Sequence, residues 1–303
     1  MHNPTKRPSR KAIQPVISVV IINKNERDVA VTLKLLTGQE IADPYETIVV
    51  DASAGALDDI YDAYPQLRRI DFVSKTGKKI TIPEQRNVGV RAARGAIIVF
   101  IDASCEPGPD WLATLTAPIR TGEEQITAGG TLSTGTETFH DAVYAAQKQQ
   151  KYIAQAPTIN LAIAREVFAA IGYFDENLRY GSDMDFTWRA RAAGLRIRNV
   201  PAALVTHDWG NLKTELKRAD HYGQAKVILY RKHRYGFGNF VRREFALCFY
   251  LGFFVGLPLT IWFPFYPLLI VLPVLKNVRA DPFKLVAINI VTAYGAAKEL
   301  VRP

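Results

Sequence analysis

Three short runs of β-branched and aliphatic residues limit the kind of core this chain can build: VISVVII at residues 16–22, ETIVV at 46–50 and AIIVFI at 96–101. Each is apolar at consecutive positions rather than alternate ones, the pattern of a strand covered on both faces. Residues 28–36 carry a helical spacing, and residues 84–94, closed by Gly95 as a C-terminal cap, read as a second helix. This β-α-β alternation predicts an α/β fold with an open, mainly parallel, Rossmann-like sheet flanked by helices. Ligands of such sheets bind beyond the carboxyl ends of the strands.

Chemistry is therefore expected directly after each run. The first is followed by Asn23-Lys24-Asn25-Glu26, the second by Asp51-Ala52-Ser53, and the third by Asp102-Ala103-Ser104-Cys105-Glu106. Each has an ordinary structural reading: Asn25 as a helix cap, Asp51 as the head of an Asx turn, Asp102 as a turn residue before Pro107. Taken together, the three polar strand ends converge on one crevice.

Further segments follow in a fixed order: RNVGVRAARGAIIVFIDASCEPGPDWL, GGTL at Gly129, NLAIAREVFAAIGYFDE from Asn160 and YGSDMDFTWRARAAGLRI from Tyr180. With ISVVIINKNE and IVVDAS before them, the chain resembles the family 2 glycosyltransferases of the GT-A fold over roughly residues 16–210. The resemblance implies a nucleotide-sugar donor, UDP-linked by preference, with Asp51 contacting the base and Asn25 and Glu26 lining the nucleotide pocket. Arg86 and Asn87, at a helix start, would face the nucleotide sugar, where an N-terminus and a guanidinium both suit anionic oxygens. Asp102 would open the Asp-x-Asp motif that holds Mg²⁺ or Mn²⁺ on the diphosphate.

Three acid positions of that pattern are altered. Ser104 stands at the second Asp of the metal motif, Ala52 beside the base-binding Asp51, and Ser182 ahead of the expected catalytic base Asp183. His207, closing the strand-like ALVTH, matches a late metal or diphosphate ligand, its other reading being a strand-end histidine bonded to backbone. Glu106 is a further candidate to compensate for Ser104. Asp183 would take the proton of an acceptor hydroxyl as its oxygen displaces the diphosphate with inversion. Its structural reading is a helix-terminal carboxylate beside Ser182 as cap and Asp185 in the first turn.

Other features carry less chemistry. Trp188, Arg189 and Arg191 lie on the same expected helix, and residues 139–152 precede Asn160 as a candidate acceptor wall. Cys105 has no adjacent His or second Cys to make it a nucleophile, and neither a P-loop nor an HExxH motif occurs. Two cysteines cannot form a disulfide framework, so a reducing compartment is expected.

The net charge of +9 is unevenly placed. Residues 1–15 contribute +4 as a basic tail without the apolar stretch of a secretory signal, residues 16–212 contribute −4, residues 213–243 contribute +7 and the remainder +2. A slightly acidic main domain argues against nucleic acid as a partner. The basic block instead precedes FALCFYLGFFVGLPLTIWFPFYPLLIVLPVL, residues 245–275, with no charge at all. That length lies between one membrane span and two, and Pro258, Pro264, Pro267 and Pro273 oppose one straight helix. A re-entrant or in-plane helical hairpin is expected, with a single tilted span or a buried helix pair as alternatives. Leu212, Leu216, Ala219, Gly223, Val227 and Tyr230 mark an amphipathic helix, either interfacial on anionic lipid or packed on the main domain.

The expected organisation is a tail at 1–15, a GT-A domain at 16–211, basic amphipathic helices at 212–244 and an apolar helical membrane segment at 245–303. The expected function is transfer of one sugar, on the cytoplasmic face of a membrane, to a lipid-linked or membrane-proximal acceptor. The Gln-x-x-Arg-Trp motif of the family's processive synthases is absent. Two rival readings remain: a catalytically degenerate GT-A scaffold on the membrane, and a sugar nucleotidyltransferase.

Overall fold

The computed structural model describes residues 16–73, 81–134, 139–277 and 281–302, so the basic tail and Arg279 lie outside the described residues. In chain order the first half comprises β1 (Ile17–Asn23), α1 (Val29–Thr37), β2 (Tyr45–Asp51), α2 (Asp58–Tyr61), β3 (Arg68–Asp71), α3 (Ile82–Ala92), β4 (Ile97–Ile101), β5 (Cys105–Pro107), α4 (Trp111–Arg120) and β6 (Ile126–Ser133). The second half comprises α5 (Phe139–Gln147), β7 (Tyr152–Ile153), β8 (Asn160–Ala164), α6 (Arg165–Ile171), α7 (Ser182–Ala192), β9 (Ile197–His207), α8 (Leu212–Lys232), α9 (Phe237–Arg243), α10 (Phe245–Val255), two 3₁₀ stretches (Leu257–Ile261 and Tyr266–Asn277) and α11 (Pro282–Leu300).

The sheet runs β3-β2-β1-β4-β8-β6-β9-β5, with β7 beside β9. β3, β2, β1 and β4 are mutually parallel, and the antiparallel β8 separates them from the parallel pair β6 and β9. The consecutive apolar runs are explained by two-sided burial. Ile17, Val19 and Ile21 pack with α1 residues Val29, Leu33 and Leu36 and α4 residues Leu112 and Leu115. Val20 faces the other layer, with Ile48, Val50 and Val90 of α3. At about 1.5–3 kcal/mol for each large aliphatic side chain fully buried, these two layers dominate the stability of the domain.

Gly95 is not the cap of α3, which ends at Ala92 with Ala93 following. A Cβ on Gly95 would sit 2.7 Å from backbone atoms of Ile17 and Ser18, so the glycine is required for the close approach of this turn to β1. Nor is Ser182 a cap: Gly181, in the left-handed region at φ 74°, precedes α7, and Ser182 is buried inside its first turn.

The amphipathic stripe of α8 does not face outward. Ala219, Gly223, Val227 and Tyr230 are buried. A Cβ on Gly223 would lie 2.0 Å from the Thr292 carbonyl oxygen, and one on Gly295 would lie 2.1 Å from that of Asp220. The stripe is thus covered by α11, and by Trp188 of α7 against Leu229 and Tyr230.

The uncharged run folds back on itself. Tyr250 donates to the Ile270 carbonyl, Tyr266 donates to the Phe253 carbonyl, and the Phe253 and Tyr266 rings stack 5.2 Å apart. α10 has 11 residues, about 16 Å at 1.5 Å per residue, against roughly 30 Å of bilayer core. Among the described residues no helix is long and apolar enough to cross a membrane, and the expected membrane segment gains no support from helix length.

Candidate active site at the carboxyl edge of the sheet

The parallel register brings Asn23 beside Asp51 at the ends of β1 and β2. Asn23 holds the turn that follows, its Oδ1 accepting from the Glu26 amide and its Nδ2 donating to the Glu26 carbonyl and to the Tyr61 hydroxyl. Asn25 takes φ 64°, and its amide donates to Ser53 Oγ at 2.7 Å. This leaves the side chains of Asn25 and Glu26 exposed at the mouth of the crevice.

Asp51 is buried. Its Oδ1 accepts from Ser53 Oγ at 2.7 Å and from the Tyr61 hydroxyl at 3.1 Å. Burial, together with the adjacent Asp51 charge, pushes the Tyr61 phenol well up, which keeps it a donor. Among the described residues Oδ2 of Asp51 has no hydrogen bond, and Arg69 approaches it only to 3.8 Å. A buried carboxylate oxygen without a donor is costly, so Asp51 is set to accept one more N–H.

At the end of β4, the Thr32 hydroxyl of α1 lies 2.9 Å from the Ala103 carbonyl and 2.7 Å from that of Cys105, fixing the turn that carries Asp102 and Ser104. β5 then pairs with β9 so that Cys105 is opposite His207. β9 is itself positioned by Asn160, whose amide donates to the carbonyls of Gly130 and Ala203 while its oxygen accepts from Trp111 Nε1. As a result Ser104 Oγ and His207 Nδ1 are 3.2 Å apart, leaving Nε2 as the ring nitrogen available to a ligand. Burial and the Asp102 charge push the Cys105 thiol up, consistent with no nucleophilic role.

Arg86 and Asn87 differ in use. Arg86 Nη2 lies 4.0 Å from Asp102 Oδ1 and its guanidinium sits 5.9 Å from the Phe174 ring. The Asn87 amide is turned away: it donates to the Phe174 carbonyl and to Glu176 and accepts from the Phe174 amide, so Asn87 positions the segment on which Arg86 rests.

The two acids of α7 are separated by environment. Asp185 is wholly buried and bonded to Arg189 at 2.9 Å, Lys232 at 2.7 Å and His233 at 2.9 Å. Asp183 is half-buried, and its Oδ1 accepts from the Met184 amide at 2.9 Å. Asp183 is therefore the carboxylate open to a substrate. It acts, with Asp102, on the phenol of Tyr222 from α8.

The remaining candidates are structural. Trp188 donates to Gln155 and packs on Tyr230 and Tyr235, Arg189 binds the carbonyls of Ile171 and Tyr173, and Arg191 reaches the Ala154 carbonyl. In residues 139–152, the Tyr144 ring covers Gly130 while Tyr152 lies beneath Arg196 at the far end of the sheet. A cavity of about 390 Å³ beside Glu124, Glu166 and Arg196 also opens at that far end, away from every strand end just described. Among the described residues no three His, Cys, Asp or Glu side chains cluster as a metal site.

A mixed sheet with this strand order, polar turns at the ends of β1, β2 and β4, and an open carboxylate at the start of α7 are the features of a GT-A glycosyltransferase. The model of "Glycosyl transferase family 2" matches residues 18–179, more than half of the chain, and the chain belongs to that family. It is 24% identical to glycosyltransferase AglE of Haloferax volcanii over 255 residues, covering 78% of this chain and 80% of that protein. It is 25% identical over 162 residues to a pre-mycofactocin glycosyltransferase of Mycobacterium tuberculosis, covering 49% of this chain and 34% of that one. Among solved structures it is similar to the mannosyltransferase PcManGT of Pyrobaculum calidifontis in complex with GDP-Man and Mn²⁺. The TM-score is 0.65 at 16% identity, over 96% of this chain and 88% of that chain, a likeness of fold.

Proposed function

We propose that the protein transfers one sugar, with inversion, from a nucleotide-sugar donor to a lipid-linked or membrane-proximal acceptor. The observation that carries this reading is that one face of α8 links the two ends: Arg218 lies on the Trp209 ring, which meets His207, and Ala225, seven residues or about 10 Å further on, abuts Gly181, two residues before Asp183. A leaving-group cradle on one side and a base on the other is what a single displacement needs.

The donor set at the end of β4 is Asp102, whose side chain is 39% exposed, with Ser104 and His207 beside it. Such a set suits a divalent cation that fills its other positions with diphosphate oxygens and water, and not one enclosed by protein. The cation, when bound, would neutralise charge developing on the leaving diphosphate. Arg86 adds positive charge on the same side, and Asn25, Glu26 and Asp51 receive the nucleotide. Asp183 then accepts the proton of the acceptor hydroxyl as that oxygen attacks the anomeric carbon.

The acceptor reading rests on the C-terminal module. Val255, Ile261, Trp262, Phe263, Phe265 and Leu268 are largely exposed, and Arg231, Arg234, Arg242 and Arg243, exposed too, adjoin this run in the chain. Aromatic and aliphatic side chains beside arginines suit the headgroup region of an anionic leaflet, entered in plane. This supports the reading of an enzyme at the cytoplasmic face, next to its acceptor.

Thermal-shift measurements with UDP-, GDP- and dTDP-sugars, with and without Mn²⁺ or Mg²⁺, test the donor half of the reading. A metal-dependent shift with one donor class, lost in Asp102→Ala, is expected. No shift with any donor would return the altered acid positions, Ser104, Ala52 and Ser182, to the reading of a catalytically degenerate scaffold.

A further inference from the structure

Helix α8 belongs to the C-terminal third of the chain, yet one of its faces touches both the strand end next to His207 and the residue that precedes α7. Arg218, Tyr222, Ala225 and Leu229 recur at intervals of four, three and four and so share that face. Both ends of the face are pinned. Arg218 donates to the Trp209 carbonyl and its guanidinium lies 5.4 Å from the Trp209 ring, which meets the His207 ring edge-on at 4.6 Å. At the other end, a Cβ on Gly181 would lie 3.3 Å from Ala225 and 3.0 Å from Leu229, so the helix abuts the residue preceding Ser182 and Asp183.

Tyr222 lies between these two anchors. It is held over the gap between the strand end bearing Ser104 and His207 and the helix start bearing Asp183. Its rotation about the helix is set by the next residue, because His221 stacks on Tyr180 with centroids 4.1 Å apart and planes at 13°. Arg218 stands one turn before it on the same face, and the charges of Asp183, Asp102 and Arg86 also act on its phenol. Among the described residues its hydroxyl has no hydrogen-bond partner, and the residue is 44% exposed.

We propose that Tyr222 is a substrate-contacting residue whose hydroxyl donates a hydrogen bond to the diphosphate of the donor, and to the same oxygens as they leave. The inference rests on the donor reading given above. Arg218 one turn away, and Arg86 4.0 Å from Asp102, make this the side that suits the anionic part of the substrate, where a neutral O–H helps by donating. A phenol, with an ordinary pKa of about 10, is a neutral donor at neutral pH. Asp183 needs no partner of this kind, since its task is to accept a proton.

The test uses the full chain in detergent, titrated calorimetrically with GDP, UDP and dTDP in the presence of Mn²⁺, for wild type, Tyr222→Phe and Tyr222→Leu. Wild type is expected to bind one of these nucleotides. Tyr222→Phe, which keeps the ring, should weaken that binding roughly tenfold and slow donor hydrolysis, at an unchanged melting temperature. Equal affinity in wild type and Tyr222→Phe, with loss only in Tyr222→Leu, would overturn the proposal and make Tyr222 a packing residue of α8. A Tyr222→Phe defect confined to acceptor KM would overturn it as well. Failure of wild type to bind any of the three nucleotides would remove the donor reading itself, and this inference with it.

Discussion

The sheet domain and the C-terminal module are built from similarly apolar runs and treat them in opposite ways. Ile17, Val19, Ile21, Ile98 and Val99 are completely buried, whereas Val255 is 82% and Phe265 78% exposed. Covering accounts for the difference. α1 and α4 close one face of the strands and α3 the other, but the run after α10 is cut by Pro258, Pro264, Pro267 and Pro273 into 3₁₀ stretches that pack on α10 and α11 and leave most of their large side chains exposed. Its own core, Val227, Leu247, Tyr250, Ala293 and Ala296, is small. An apolar run therefore specifies burial, while what buries it depends on the helices or the surface available.

If the sheet edge is the reacting region and the module its anchor, mutations should divide accordingly. Asp183→Asn is expected to lower transfer by about 10²–10⁴-fold while leaving nucleotide binding and melting temperature in place, as kinetics and calorimetry of one preparation would show. A catalytic loss below tenfold would move the base elsewhere. Asp185→Asn, two residues on, should do the reverse. It strips a buried carboxylate from Arg189, Lys232 and His233, the joint between α7 and α8, and is expected to cost roughly 3 kcal/mol in urea unfolding. A purely catalytic effect there would contradict the separation of the two acids.

Changes in the module should alter partition and spare the fold. Replacing Trp262, Phe263 and Phe265 together by Ser is expected to reduce binding to anionic-lipid vesicles at least about 100-fold, by removing three exposed aromatic side chains from the interface. Unfolding stability should shift by no more than about 0.5 kcal/mol. A large loss of stability would mean that these rings are packed within the protein, and the contrast between the two regions would fail.

The fold of the sheet domain was legible because two-sided burial is written directly into consecutive apolar positions, as in residues 16–22 and 96–101. The candidate edge was legible through the order of polar turns: Ser104 and His207 do come together, though 103 residues separate them. What escaped depends on rotation and long-range contact. Asn87 adjoins Arg86 in the chain, but one helical step of about 100° turns it onto Phe174 instead. Gly95 looks like a helix cap because both caps and close backbone approaches demand the absence of Cβ. The stripe of α8 was plain, but a stripe does not name its partner, and α11 rather than lipid covers it. Tyr61, Arg69 and Tyr222 belong to no local motif, and only the folded chain brings them to Asp51 or Asp183.

The end of the sheet domain opposite the active site offers the smallest and most specific test, because its stability depends on one carboxylate. Glu46 on β2 accepts from Ser18 Oγ at 2.7 Å, from Arg68 at 2.8 Å and from the Arg94 amide at 2.6 Å. Burial alone would raise its pKa, but these three donors together outweigh burial and hold it below the usual carboxylate range. A carboxyl group depressed in the folded state stabilises the protein above its unfolded pKa, near 4.3, and that stabilisation is lost as pH falls through the lower folded value. Glu46→Gln should therefore cost about 1–2 kcal/mol at pH 7 and progressively less below about pH 4, where the wild-type group is itself protonated. Urea unfolding from pH 7 to pH 3, followed by the buried Trp111 in a variant with Trp188, Trp209 and Trp262 replaced by Phe, reads the sheet domain directly. In a second variant that keeps Trp262 instead, the exposed module reports. A matching pH-dependent shift there would show that both regions unfold as one unit, and a shift seen by Trp111 alone would show that the module is thermodynamically separate.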